Sequence, residues 1–158
     1  MYQHTQQGRM FIITAAVLAV IVAILLAVVP DRSTLIPVLL VTIVIVGVAA
    51  MLGRLTVSVD TTEVRAVFGT RWPRRTLALG DIVSATPVRN RWYHGWGIRK
   101  VANGWMYNVW GLDAVELELT SGKVFRIGTD EPTVLAAAID ARLGEGGRDA
   151  GRAARRSY

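Results

Sequence analysis

Residues 10–29 and 35–52 form two nearly uninterrupted apolar runs, and a polar–apolar alternation takes over directly after them. The first run has twenty residues with Thr14 as its one polar side chain; the second has eighteen, interrupted by Pro37, Thr42 and Gly47. A hydrocarbon core of ~30 Å is crossed by about twenty helical residues, so both runs predict membrane-spanning helices. Thirteen residues of the first run are Phe, Ile, Leu or Val. Each favours insertion by roughly 0.3–0.6 kcal/mol near mid-membrane. A buried helix pair in a soluble protein is the competing reading, but uncharged runs of this length are rare in soluble cores.

Residues 30–34 join the two runs and predict a tight antiparallel hairpin with both ends on one side. Asp31 and Arg32 cancel in that connection, whereas Arg9 precedes the first run and Arg54 and Arg65 follow the second. The positive-inside rule then predicts a multi-pass cell-membrane protein with both termini, and everything after the hairpin, in the cytoplasm. Residues 1–9 are expected to be a cytoplasmic tail, with His4 in its flexible part. Ala15, Ala19, Ala23 and Ala27 recur every four residues and put small side chains along one helix face. Such a strip lets helix backbones approach closely in lipid, within the hairpin or between protomers. Its bland counterpart is that alanine is common in such helices.

Period-two segments follow. Leu55, Val57 and Val59 alternate with polar neighbours, and Val64, Ala66 and Phe68 alternate with Glu63, Arg65 and Val67. Residues 74–79, 82–88, 104–110, 114–119 and 124–127 add five more predicted strands, with Ser121-Gly122 as a hairpin turn. Thr129-Asp130-Glu131-Pro132 is a helix-start signal, and Leu135, Ala138, Ile139 and Leu143 share one face of the helix it opens. Seven strands and a closing helix predict an antiparallel sandwich or barrel over residues 54–143. Residues 144–158 lack apolar periodicity and are expected to be a disordered basic tail.

Two spans, about seven strands and a terminal helix resemble the bacterial membrane proteins that carry a pleckstrin-homology-like (PH-like) domain. Gly95-Trp96-Gly97-Ile98-Arg99 followed by Gly104-Trp105-Met106-Tyr107-Asn108 carries the resemblance further. After these come Gly111, Ala114-Val115-Glu116-Leu117, Ser121-Gly122-Lys123 and Ile127-Gly128-Thr129-Asp130-Glu131-Pro132. That succession is similar to an actinobacterial subgroup with two N-terminal transmembrane helices. The resemblance covers residues 10–143 and implies a seven-stranded PH-like barrel with a C-terminal capping helix at a membrane. It implies no ligand, because fold alone does not decide function.

Charge changes the picture after the hairpin. The chain carries net +6, of which residues 1–52 hold +1 and the remainder +5; sixteen of its eighteen basic residues are Arg. Residues 82–112 hold no acid, yet they contain Arg89, Arg91, Arg99 and Lys100 with Trp92, Trp96, Trp105 and Trp110. Bases and amphipathic aromatics together suit a membrane interface, where each base near an anionic surface contributes about 1 kcal/mol. Arg89, Arg91, Trp92, Trp96, Arg99 and Lys100 are therefore candidate contacts for anionic phospholipid headgroups or a protein partner. The competing and stronger reading is a structural role, with the tryptophans filling the barrel. Arg71, Trp72, Arg74 and Arg75 form a second basic cluster, and Arg148, Arg152, Arg155 and Arg156 a third.

Several classes are unsupported. The chain has no cysteine, hence no thiolate metal site or disulfide framework. No nucleotide-binding or nucleophile-elbow motif, no metal-ligand spacing and no recognised nucleic-acid motif appears, so no cofactor and no nucleic acid is expected. Glu116 and Glu118 fall on the outward face of a strand, which reads as a solvated face rather than an acid/base pair. The expected function is a membrane-anchored, non-enzymatic binding or scaffolding module. One alternative is an accessory subunit of a membrane complex, or a homo-oligomer, packed through the hairpin. Another is a membrane enzyme with a site the motifs do not reveal.

Overall fold

The computed structural model describes residues 1–28, 32–69 and 71–156. The chain runs β1 (Tyr2–Gln7), α1 (Arg9–Val28), α2 (Arg32–Leu52), β2 (Arg54–Val59), β3 (Glu63–Phe68), β4 (Arg74–Ala78), β5 (Ile82–Arg89), β6 (Gly97–Val101), β7 (Gly104–Asn108), β8 (Asp113–Leu119), β9 (Val124–Gly128) and α3 (Pro132–Arg156). The hairpin connection expected at 30–34 lies partly outside the described residues. Nine strands replace the seven expected. They form two sheets, ordered β1-β2-β3-β4 and β5-β8-β9-β7-β6, and the two are not closed into a barrel.

β1 corrects the expected N-terminal tail. It pairs antiparallel with β2 from Tyr2↔Val59 to Gln7↔Arg54. Its inner-face positions are Tyr2, His4 and Gln6, opposite the buried Val59, Val57 and Leu55. Polar side chains on the core-facing positions hide the alternation that would announce a strand. Tyr2 and His4 use their polar groups: His4 Nε2 lies 2.6 Å from Asp130 Oδ1, and the Tyr2 hydroxyl donates to Glu131 Oε2 at 3.4 Å, whereas Gln6 Oε1 is buried without a partner among the described residues. Burial, reinforced by the Glu131 carboxylate, pushes the Tyr2 phenol up to about 12, so it stays a protonated donor.

The helical pair is thus inserted into a β-hairpin. β1 runs up to Gly8, the two helices follow, and β2 returns from Gly53 beside it. The Gly8 amide donates to the Gly53 carbonyl at 2.7 Å. A Cβ on Gly8 would come within 2.7 Å of both the Phe11 and Val109 side chains, so no larger residue fits this junction. On α1, Phe11, Ala15, Leu18, Val22 and Leu25 are the less exposed positions, and they share clefts with Val38, Thr42, Ile45 and Ala49 of α2. Ala15 therefore faces the partner helix. Ala19, Ala23 and Ala27 do not; they are exposed, because a four-residue repeat drifts around a helix of 3.6 residues per turn. Thr42 Oγ1 donates to the Val38 carbonyl, which satisfies its hydroxyl inside α2.

The core lies between the sheets and under α3. Phe68, Leu55 and Val64 meet Leu117, Phe125 and Ile127, while Leu135 and Ile139 of α3 close the layer over β5 and β8. Thr129 Oγ1 accepts from the Glu131 amide, and Pro132 takes the first helical position. The α3 backbone then continues to Arg156, past Gly144 where a disordered tail was expected. Ala and Arg favour helix intrinsically, and Arg142 pairs with Glu145 across that glycine.

β9 lies between β8 and β7, antiparallel to the first and parallel to the second. The parallel pair approaches so closely that a Cβ on Gly104 would fall 1.7 Å from the Val124 carbonyl oxygen. β6, the other unexpected strand, pairs with β7 from Gly97↔Asn108 to Val101↔Gly104. Arg99 and Lys100 in its centre disguise it.

Candidate functional site

The Arg/Trp stretch belongs to the end of the β domain from which the helices leave. The β7–β8 connection carries Val109 against Gly8, and Gln6 Nε2 donates to the Trp110 carbonyl at 3.2 Å. Next to it lies the β5–β6 connection, held by the Asn90 amide donating to the Leu112 carbonyl at 2.6 Å. On the other sheet, Gly69 sits against the Met51 carbonyl at the end of α2, and Arg71 and Trp72 follow it. Three connections thus surround the bases of α1 and α2.

A packed layer holds two of these connections. The Trp96 and Trp110 rings stack at 5.6 Å between centroids and 13° between planes. Asn108, 1% exposed, donates from Nδ2 to the Gly111 carbonyl and accepts at Oδ1 from the Trp110 amide. Arg126 Nε donates to Glu116 Oε2 at 2.6 Å, and its Nη1 donates to Asn90 Oδ1 at 3.2 Å. Met106, on the same sheet face as Arg99 and Arg126 by register, is fully buried. The outer face of the second sheet is therefore covered here, and Glu116 is a structural ion-pair partner rather than a free carboxylate.

Above that layer the exposed groups concentrate. Trp92 is 81% exposed, Trp72 67% and Tyr93 57%. Arg91 Nη1 donates to the Tyr93 hydroxyl at 2.9 Å, and its guanidinium carbon lies 5.9 Å from that ring's centroid. Arg89 Nη1 is 3.8 Å from Asp113 Oδ1, a loose and solvated pair. Arg99 Nε donates to the Trp96 carbonyl at 3.0 Å, which ties its stem back toward the connection.

The candidate residues accordingly divide. Arg89, Arg91, Trp92 and Arg99 lie at the helix-bearing end. Trp96 lies there too, but as half of a ring stack. Lys100 does not join them: it pairs across β7 with Trp105, toward the opposite end of the strand. Arg71 and Trp72 of the second basic cluster do reach this end, whereas Arg75 does not. Asn90, Asn108 and Arg126, which hold the platform, carry no motif that would single them out.

Among the described residues no group of three or more His, Asp or Glu side chains is placed to hold a metal ion. What the arrangement offers chemically is a cationic, amphipathic-aromatic surface. No family model, no curated protein and no solved structure matches this chain.

Proposed function

We propose that this chain is a membrane-anchored, PH-like binding module whose Arg71, Trp72, Arg89, Arg91 and Trp92 surface meets anionic phospholipid headgroups on the cytoplasmic side. The observation that carries the reading is positional: the exposed tryptophans and arginines emerge at the end where α1 and α2 begin and finish. Helices of 20 and 21 residues rise about 30 Å, the hydrocarbon thickness. Their apolar windows are 0% and 6% buried, unlike the core helices of a soluble protein. With the helices in a bilayer, the surface around their bases lies at headgroup depth, where indole rings and arginines are favoured. The β1–β2 ladder supports one side for both helix ends. Arg9 and Arg54 there, against a neutral connection, support the cytoplasmic side.

The absence of cysteine makes a direct test simple. A single cysteine placed at Trp92 and spin-labelled, in the full chain reconstituted in nanodiscs, reports whether the loop touches lipid. Contact with anionic but not neutral bilayers is expected, weakening in high salt. Changing Arg71, Arg89 and Arg91 to Gln is expected to weaken it by roughly 3 kcal/mol, at about 1 kcal/mol per base. A label at Lys123, at the opposite end, stays in water throughout. Equal water exposure of the Trp92 label in neutral and anionic bilayers would sink the reading.

A second reading, packing against other transmembrane helices, is favoured by the outward exposure of Ala19, Ala23 and Ala27. Here Ala23→Leu is expected to abolish a detergent-resistant oligomer or co-purifying partner without unfolding the hairpin. An unchanged assembly would exclude that face.

A further inference from the structure

The two sheets part where β4 and β6 form their edges. Between them lies a crevice of about 300 Å³, floored by Ile98, Trp105, Tyr107, Leu119 and Phe125, with Arg75 and Lys123 on its rim. The placement of Arg75 is unusual. It pairs with Ala66, which is 1% exposed, so it occupies a core-facing position of its strand, next to Leu77 opposite the buried Val64. Lys100, in register with Trp105 as Trp105 is with Phe125, is on the same face of its sheet as the floor but does not line the crevice. No carboxylate lines the crevice, and none of the three cations is in an ion pair among the described residues. An aromatic floor under unpaired cations is complementary to an apolar group bearing a negative charge.

We propose that this crevice binds a small amphiphilic carboxylate, with a phenylalkyl or medium-length alkyl tail on the aromatic floor and the carboxylate between Arg75 and Lys123. Its volume sits at the small end of ligand pockets, about 300–1,000 Å³, which admits one short tail rather than the two chains of a phospholipid. Burial pushes the Tyr107 phenol up, against the opposing pull of Arg75, so its hydroxyl is kept as a donor beside the guanidinium. Trp105, 52% exposed on the inner face, gains cover when the tail is seated. The site opens near the turns at 102–103 and 120–123, which are joined by Asn103 Nδ2 donating to the Gly122 carbonyl at 2.6 Å. That end is opposite to α1 and α2, so the ligand arrives from water and the site is independent of the lipid-facing surface.

Phenylbutyrate is a water-soluble probe of this chemistry, and phenylbutylamine is its cationic counterpart. Each is titrated into the full chain in nanodiscs while isotope-labelled methyl groups of Ile98 and Leu119 are followed by NMR. Saturable shifts at both residues are expected with phenylbutyrate and none with phenylbutylamine. Arg75→Gln and Lys123→Gln each weaken binding roughly tenfold, as loss of a charge-assisted contact implies, while the remaining methyl signals stay in place. Ile98→Trp, which fills the crevice, abolishes the shift at Leu119. No saturable shift, an equal response to the amine, or undiminished binding in both Gln variants would overturn the proposal.

Discussion

Phe68→Ala is expected to destabilise the domain by about 3–5 kcal/mol, the usual cost of emptying a buried phenylalanine site. Phe68 is fully buried at the end of β3. Its ring lies 5.2 Å from that of Tyr107, which in turn lies 5.1 Å from that of Phe125. This chain of rings ties one sheet to the other beside the crevice, where no backbone pairing joins them. Total stabilities of about 5–15 kcal/mol leave little margin for such a loss. Denaturant unfolding of the full chain in mild detergent, followed by near-ultraviolet circular dichroism, measures it. Phe68→Leu should cost clearly less. A loss below about 1 kcal/mol would mean that the ring does not couple the sheets.

Deleting residues 2–7 should have an effect of similar size while leaving both apolar helices intact. Six register pairs between β1 and β2 disappear. Their hydrogen bonds contribute about 0.5–1.5 kcal/mol net each, and the Tyr2 cover over the β1–α3 seam goes with them. Limited proteolysis at 54–78 reads the result, with membrane insertion checked separately. Rapid cleavage of an inserted protein is the expected outcome; resistance equal to that of the full chain would show β1 to be dispensable. The same reasoning says that a fragment starting at Arg54 is an incomplete domain.

The helical pair, seven of the strands and the start of α3 were legible in the sequence because each has a hydrophobic period. β2 and β8 are the clearest cases: Leu55, Val57 and Val59, or Val115 and Leu117, point inward exactly where alternation puts them. β1 was not legible, since its inward positions are Tyr2, His4 and Gln6, whose partners lie more than a hundred residues away in Asp130, Glu131 and Trp110. β6 was hidden by Arg99 and Lys100. The open seam between β4 and β6 has no local signal at all, because closure depends on sheet curvature rather than on any one segment. At the candidate surface, composition singled out the arginines and tryptophans. It did not separate Trp92, which is 81% exposed, from Trp96, which is stacked on Trp110. Nor did it find Asn90 and Arg126, which fix the loop between them.

Because the helical pair interrupts the β1–β2 hairpin, the order of synthesis constrains how the protein matures. β1 leaves the ribosome before its partner, which follows only after α1 and α2 have been made. Until both helices have been made and β2 has emerged beside Gly8, β1 lacks the strand it pairs with. On the membrane-anchored reading proposed above, completion of the first sheet therefore waits for insertion. A chain whose hairpin fails to enter the membrane has its first strand stranded, and such an unpaired edge is the kind of surface that quality-control proteases and chaperones engage.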